Sequence, residues 1–252
     1  KNLSLAEAVV GDPFATWQAW FMARLEELAA AAAFDRPELF TRQTRWSASV
    51  LAARGVAPEA VRAALDSLRD VLSKELPEGQ QAMAAALVER GRAALDEEPW
   101  ASDQSLLPDT PDGRLASAYV LAVLEGDRRR AAGLVLDAAR QGRPIGEIYC
   151  NVLLPAQAEL GRMWAADEIN IAEEHFTSAT TRWLMAQLAA SAACGPANGR
   201  TAVAATVAGN QHDLGLQMVS DLLELDGWRV VHLGADVPAA DLVQAIDCFG
   251  AD

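Results

Sequence analysis

The chain has 252 residues, 51% of them hydrophobic, and a formal net charge of −14. Binding of a phosphate backbone needs a basic patch, so this balance excludes a nucleic-acid surface on this chain, and the short run Arg128-Arg129-Arg130 reads as a solvated helix face. Cys150, Cys194 and Cys248 form no Cys-x-x-Cys pair and indicate neither a zinc site nor a disulfide framework.

Cys150 and Cys248 lie in apolar surroundings and are expected to be buried thiols. No apolar run reaches the roughly 20 residues of a membrane span. The N-terminus shows no signal-peptide pattern, so a cytoplasmic protein is expected, with no membrane partner.

Residues 12–97 read as four helices. Phe14, Trp17, Trp20, Phe21, Leu25 and Leu28 recur at three- and four-residue steps, the stripe of an amphipathic helix. Asp12-Pro13 supplies a cap and a proline at the first helical position. Further helices are expected over 37–53, ending at Gly55, from 58 toward Leu76-Pro77, and over 78–95, which makes a bundle. Trp17, Trp20, Phe34, Phe40 and Trp46 leave two readings open. They fill a core, or they line a pocket for a flat conjugated ligand, with Arg42 or Arg45 available for its carboxylates. Residues 1–97 are thus a helical, aromatic-rich domain, and the proline-, aspartate- and serine-rich stretch 98–112 is a linker.

Helices resume over 113–194. They are expected at 115–126, at 127–141 closed by Gly142, at 145–164 with a kink at Pro155, and at 172–193. Gly195-Pro-Ala-Asn-Gly199 reads as a hinge. The period then changes to strand 201–208, helix 214–225, strand 228–233 and a helix from 238, the pattern of parallel βαβ units. The fold class is therefore mainly α followed by α/β. Two parallel strands are too small a sheet to stand alone, so 200–252 is expected to be the first half of a truncated Rossmann-like (flavodoxin-like) domain. In such sheets ligands lie beyond the strands' C-terminal ends. Gly209-Asn-Gln-His-Asp-Leu-Gly215 occupies that place: His212 offers an imidazole there, and Gly215 permits close approach.

Three stretches together carry a resemblance: Leu153-Leu-Pro-Ala-Gln-Ala-Glu-Leu-Gly-Arg-Met-Trp164, Ile169-Asn-Ile-Ala-Glu-Glu-His175 and Gly209-Asn-Gln-His-Asp-Leu-Gly215. Over 113–252 the chain resembles cobalamin-binding modules, which join a four-helix cap to a Rossmann-like domain. They occur in methionine synthase, in corrinoid methyl-transfer shuttle proteins and in cobalamin photoreceptors of the CarH/LitR type. The resemblance implies that His212 is the lower axial ligand of cobalt, with Asn210, Asp213 and Gly215 in the same cofactor loop. A neutral imidazole suits that role. The family places an acid two positions before the histidine. Here it is Asn210, which implies a weaker donor. Asp213, beside the histidine, is not given the missing acid's role. Trp164, Glu174 and His175 reproduce the photoreceptor spacing. They imply a tryptophan over the cofactor's upper face and two residues able to hydrogen-bond its upper ligand, although a buried tryptophan also suits a core. Ala165 stands where DNA-binding photoreceptors carry a cobalt-capturing histidine, so that light state is not available here. The aromatic first domain is similar to that of photocobilins, which pair cobalamin with biliverdin.

The resemblance implies a light sensor rather than an enzyme, with adenosylcobalamin as cofactor, biliverdin as a second chromophore, and a homo-oligomer or a downstream effector domain as output. A methyl-transfer shuttle and a light-independent cobalamin sensor are the alternatives.

Overall fold

The computed structural model describes residues 13–97, 105 and 107–252. Asp12, proposed as a helix cap, and most of the 98–112 linker lie outside the described residues. The chain divides into two compact units, Lys1–Ser105 with Gly161–Ile171, and Leu106–Leu160 with Ala172–Asp252.

The first unit contains α1 (Pro13–Ala33), α2 (Glu38–Ala53), α3 (Pro58–Glu75) and α4 (Glu78–Ala93), with a 3-10 turn at Ala94–Asp96. Local chemistry sets the ends. Gly55, at φ +80, takes the left-handed conformation just past α2. Pro58 opens α3, where its missing N–H costs nothing. Leu76 is extended before Pro77, as the residue preceding a proline prefers. Trp20, Phe40, Leu51, Leu65 and Val88 form the core. Trp20 and Phe40 are completely buried, so the core reading holds for both, whereas Phe14 and Phe34 are exposed. The buried stripe of α1 contains Thr16, Trp20, Arg24, Leu28 and Ala31, a helical face that places an arginine in the core. The Arg24 guanidinium bonds Ser47 Oγ, Gln43 O (3.1 Å) and Glu27 Oε1 (2.5 Å), and Trp20 Nε1 donates to Ser47 Oγ (3.2 Å).

The second unit opens with α5 (Pro111–Leu124) and α6 (Arg128–Arg140). Thr110 Oγ1 caps α5 by accepting from Gly113 N (3.0 Å), and Asp127 Oδ1 caps α6 by accepting from Arg130 N (2.9 Å). In the arginine run, Arg130 pairs with Glu125, and the Arg128 guanidinium lies 3.8 Å from the ring centroid of Trp183.

The expected kinked helix has another form. A turn of α7 (Ile145–Ile148) passes into a π-helical segment, Tyr149–Leu153, and then into α8 (Leu154–Ala165). Pro155 has no N–H for the carbonyl four residues back. Widening the preceding turn re-registers those bonds. Cys150 lies on the outside of this turn, and Cys150, Cys194 and Cys248 are all exposed, against the expectation of buried thiols at 150 and 248. Cys248 is exposed because its helix, α11 (Ala239–Phe249), buries no side chain.

α9 (Ile171–Ser191) is followed by β1 (Thr201–Val207), α10 (Leu214–Leu225), β2 (Arg229–Val237) and α11. β1 and β2 pair in parallel, and α10 packs on both. The fold is thus helical first and α/β at the end. β2 runs four residues beyond the expected Leu233, because register shifts after Ala204 and Ala205 form a bulge around Gly234 (φ +84), which itself pairs with Ala205. The 195–199 segment is tied down rather than a free hinge. Gly195 N donates to Leu225 O (2.8 Å) and Asn198 N to Gly227 O (3.0 Å). A Cβ at Gly227 would lie 2.1 Å from Pro196 O.

Candidate functional site

The loop between β1 and α10 is held from beneath by β2. Thr206 Oγ1 donates to Asn210 O (2.5 Å) and accepts from Asp236 N (3.0 Å). Asp236 Oδ1 accepts from Gly209 N (2.7 Å). Asp236 has φ +60 and Gly209 φ +85. Both are unusual conformations that bring the two loop ends together. Asn210 Oδ1 accepts from His212 N (2.9 Å), so the amide orients the backbone of His212. His212 is exposed. A Cβ added at Gly209 or Gly215 would meet nothing within 4 Å.

Asp213 differs from its neighbours. It is only 8% exposed, and Arg182 of α9 grips its carboxylate with both terminal nitrogens, Nη2 to Oδ1 at 2.6 Å and Nη1 to Oδ2 at 3.0 Å. Arg182's hydrogen bonds hold the Asp213 carboxyl below its ordinary range against the opposing effect of burial. Close by, Tyr149 donates to Asp221 Oδ2 (2.7 Å) and Gln217 Nε2 to Asp221 Oδ1 (2.6 Å). A buried carboxylate is thereby satisfied on both oxygens, and the π-helical turn is joined to α10. Burial, then the hydrogen bond to Asp221, pushes the Tyr149 hydroxyl pKa up.

Glu174 and His175 lie in the first turns of α9. Glu174 Oε2 contacts His175 Nδ1 (2.6 Å), and Glu174 Oε1 accepts from Ser178 Oγ (2.6 Å). The His175 side chain is 73% exposed. Eight residues separate Glu174 from Arg182, about 12 Å along the helix axis. One helix therefore carries both the Glu-His pair and the arginine that holds the His212 loop.

Trp164 belongs to the first unit. Its ring stacks on Trp46 at a 6.1 Å centroid separation and 24° between planes, and the Arg54 guanidinium lies 4.6 Å from its centroid. Arg54 Nη2 also donates to Trp164 O (2.9 Å) and Nη1 to Ala165 O (3.4 Å). A cation thus meets the last carbonyls of α8, where the helix dipole favours it. Arg45, one of the candidate carboxylate binders, pairs with Glu97 at 2.6 Å.

Among the described residues no group of three or more His, Cys, Asp or Glu side chains is placed to hold a metal ion. A metal carried within a macrocycle asks the protein for one axial donor, and the exposed His212 fits that demand. Residues 115–189 match a family model described as "B12 binding domain", and residues 200–252 match a second model of the same description. Both stretches are thus similar to B12-binding domains. The HTH-type transcriptional repressor CarA of Myxococcus xanthus is 37% identical over 123 residues, 48% of this chain and 39% of that protein. The repressor CarH of the same organism is 30% identical over 176 residues, 69% of this chain and 53% of that protein. The chain spans about half or less of the length of these two relatives. Among solved structures, the Methanosarcina barkeri monomethylamine corrinoid protein is 22% identical with a TM-score of 0.42, covering 59% of this chain and 66% of that one.

Sequence reasoning named His212, Asn210, Asp213, Gly215, Glu174, His175 and Trp164. It missed Thr206 and Asp236, which pin the loop, and Arg182 and Arg54; it named Trp46 as a core or pocket residue of the first domain, not as the partner of Trp164. The detectable signals were an aspartate just past a strand glycine (Gly234-Ala-Asp236) and a basic residue inside an otherwise apolar helix stretch (Arg182-Trp-Leu-Met185).

Proposed function

We propose that this protein is a cobalamin-dependent light sensor, with residues 113–252 binding adenosylcobalamin and residues 1–97, joined through the 98–112 linker, passing on the response. The observation that carries this reading is the exposed His212 ring on a loop pinned by Thr206, Asn210 and Asp236 at the end of β1. When bound, adenosylcobalamin supplies a cobalt–carbon bond that absorbs visible light and breaks.

The residues have the following parts. His212 would supply its imidazole to the cobalt, and Gly215 would leave room for the macrocycle. Asn210 fixes the loop backbone and lends no charge to the imidazole. Glu174 and His175 would hydrogen-bond the group that the cobalt carries, and the role proposed for Trp164 is to cover it. Because Trp46 and Arg54 engage the Trp164 ring within the first unit, a change in the place of Trp164 alters the packing of the first bundle. That is a differential contact between two states, which a ligand-driven population shift requires. The output is a change of assembly or of an attached effector.

The test is reconstitution of the full chain with adenosylcobalamin in darkness, followed by green light, with absorbance and sedimentation recorded before and after. A changed spectrum together with a changed sedimentation coefficient is expected. Uptake of cobalamin with no response to light would leave a light-independent sensor. Methyl transfer from methylcobalamin to an added thiol acceptor would favour a shuttle. Biliverdin is added in a parallel arm, since a bilin-free spectrum there would remove the second chromophore from the proposal.

A further inference from the structure

We propose that Arg182 is a positioning residue for the lower-ligand histidine: its bidentate grip on Asp213 fixes the backbone from which His212 projects. This rests on the reading of His212 as the axial donor.

Asp213 occupies the N-cap position of α10, yet its side chain makes no capping hydrogen bond. Aspartate at that position ordinarily accepts from a backbone N–H two or three residues on. Here the carboxylate forgoes the cap and takes both terminal nitrogens of Arg182 instead. The pair is asymmetric in burial, with side-chain exposures of 10% for Asp213 and 47% for Arg182. The buried member is thus the one adjoining His212, and bidentate geometry restrains direction as well as distance. The backbone of Asp213 is itself committed, since its carbonyl accepts from Gln217 N (2.8 Å) as the first bond of α10.

The two sides of the loop are therefore held by different elements. Before His212, Asp236 of β2 and Thr206 at the end of β1 hold the chain. After it, α9 holds the chain through Arg182. A metal-bound imidazole is usually oriented by a hydrogen bond to its second nitrogen. The nearby amide oxygen of Asn210 accepts from the backbone nitrogen of His212, so orientation here comes from the frame on which the residue stands. Without Arg182, the α10 side of that frame is released.

The experiment compares wild type with Arg182→Ala, Arg182→Lys, Asp213→Asn and the double variant Arg182→Ala/Asp213→Asn, each checked for folding by circular dichroism. Two readouts are taken: amide hydrogen exchange of residues 210–214 in the cofactor-free chain, and the absorption spectrum with hydroxocobalamin, which distinguishes cobalt with and without a histidine below. Arg182→Ala and Asp213→Asn are expected to speed exchange at 210–214. They should also weaken cofactor binding roughly ten- to a hundredfold and shift the bound form away from the histidine-ligated spectrum. The double variant should be no worse than either single change, and Arg182→Lys should restore part of both signals. A His212-dependent spectrum and slow exchange that survive in both Arg182→Ala and Asp213→Asn would overturn this proposal alone. A wild-type spectrum unaffected by His212→Ala would overturn the axial reading and this proposal with it.

Discussion

At the residue scale, His212 differs from the other two histidines. His232 Nδ1 is paired with Ser220 Oγ at 2.9 Å and His175 Nδ1 with Glu174 at 2.6 Å, whereas His212 is held through its backbone. His212→Ala should therefore leave thermal stability within about 0.5 kcal/mol of wild type, as for an exposed side chain, while abolishing the histidine-ligated cobalamin spectrum. Arg24 is the opposite case. Burial lowers its pKa and raises that of Glu27, and the two pair with one another at 2.5 Å. Arg24→Ala should cost about 3 kcal/mol in urea unfolding, and adding Glu27→Ala should recover part of that loss. For Trp46 and Trp164, a double-alanine cycle should return a coupling of about 0.5–1.5 kcal/mol. A coupling near zero would show the stacked pair to be energetically idle.

At the element scale, the π-helical turn and the tied-down 195–199 segment decide how the second unit holds together. Tyr149→Phe removes the donor to Asp221 Oδ2 while leaving Gln217 on Oδ1. The expected cost is about 1–3 kcal/mol, read as a lower urea midpoint with an unchanged slope. Gly227 sits at φ +88 with Pro196 O pressed against the place of a Cβ. Gly227→Ala should destabilise the crossing of 195–199 over the α10–β2 turn, and faster amide exchange at Gly195 and Asn198 would show it. The helix start at Pro58 and the stop at Gly55 were readable in the sequence because proline and glycine act through their own backbone, whereas the start at Pro111 was read as part of the 98–112 linker. The end of β2 was not, because a glycine bulge looks like a strand terminus until the partner strand is present to pair beyond it.

At the scale of the whole molecule, two buried tyrosines govern alkaline behaviour. Burial, outweighing a hydrogen bond to Thr181, pushes the Tyr119 hydroxyl to about 12, and Tyr149 is raised further. A raised folded pKa favours the neutral phenol in the folded state. The associated stability is complete below the unfolded value of about 10 and is lost as pH rises toward the folded one. Denaturant midpoints should therefore hold steady to about pH 9 and fall between about pH 10 and 12, and Tyr119→Phe should flatten that fall. Among the described residues no helix is long and apolar enough to cross a membrane.

The sequence by itself determined the helical periods, the switch to βαβ order after residue 200 and the place of His212 just past a strand. Each of these depends on neighbours within a few positions. Only the tertiary structure decided which carboxylate is buried and by what it is held. Arg182 lies 31 positions before Asp213, and Asp236 lies 27 after Gly209. Pairings over such distances follow from how helices and strands pack, and no local pattern encodes them. The same holds for Arg24 and Trp164, whose surroundings come from other helices. Trp164 followed by Ala165 reads alike whether its ring meets a cofactor or Trp46, and only packing distinguishes those neighbours.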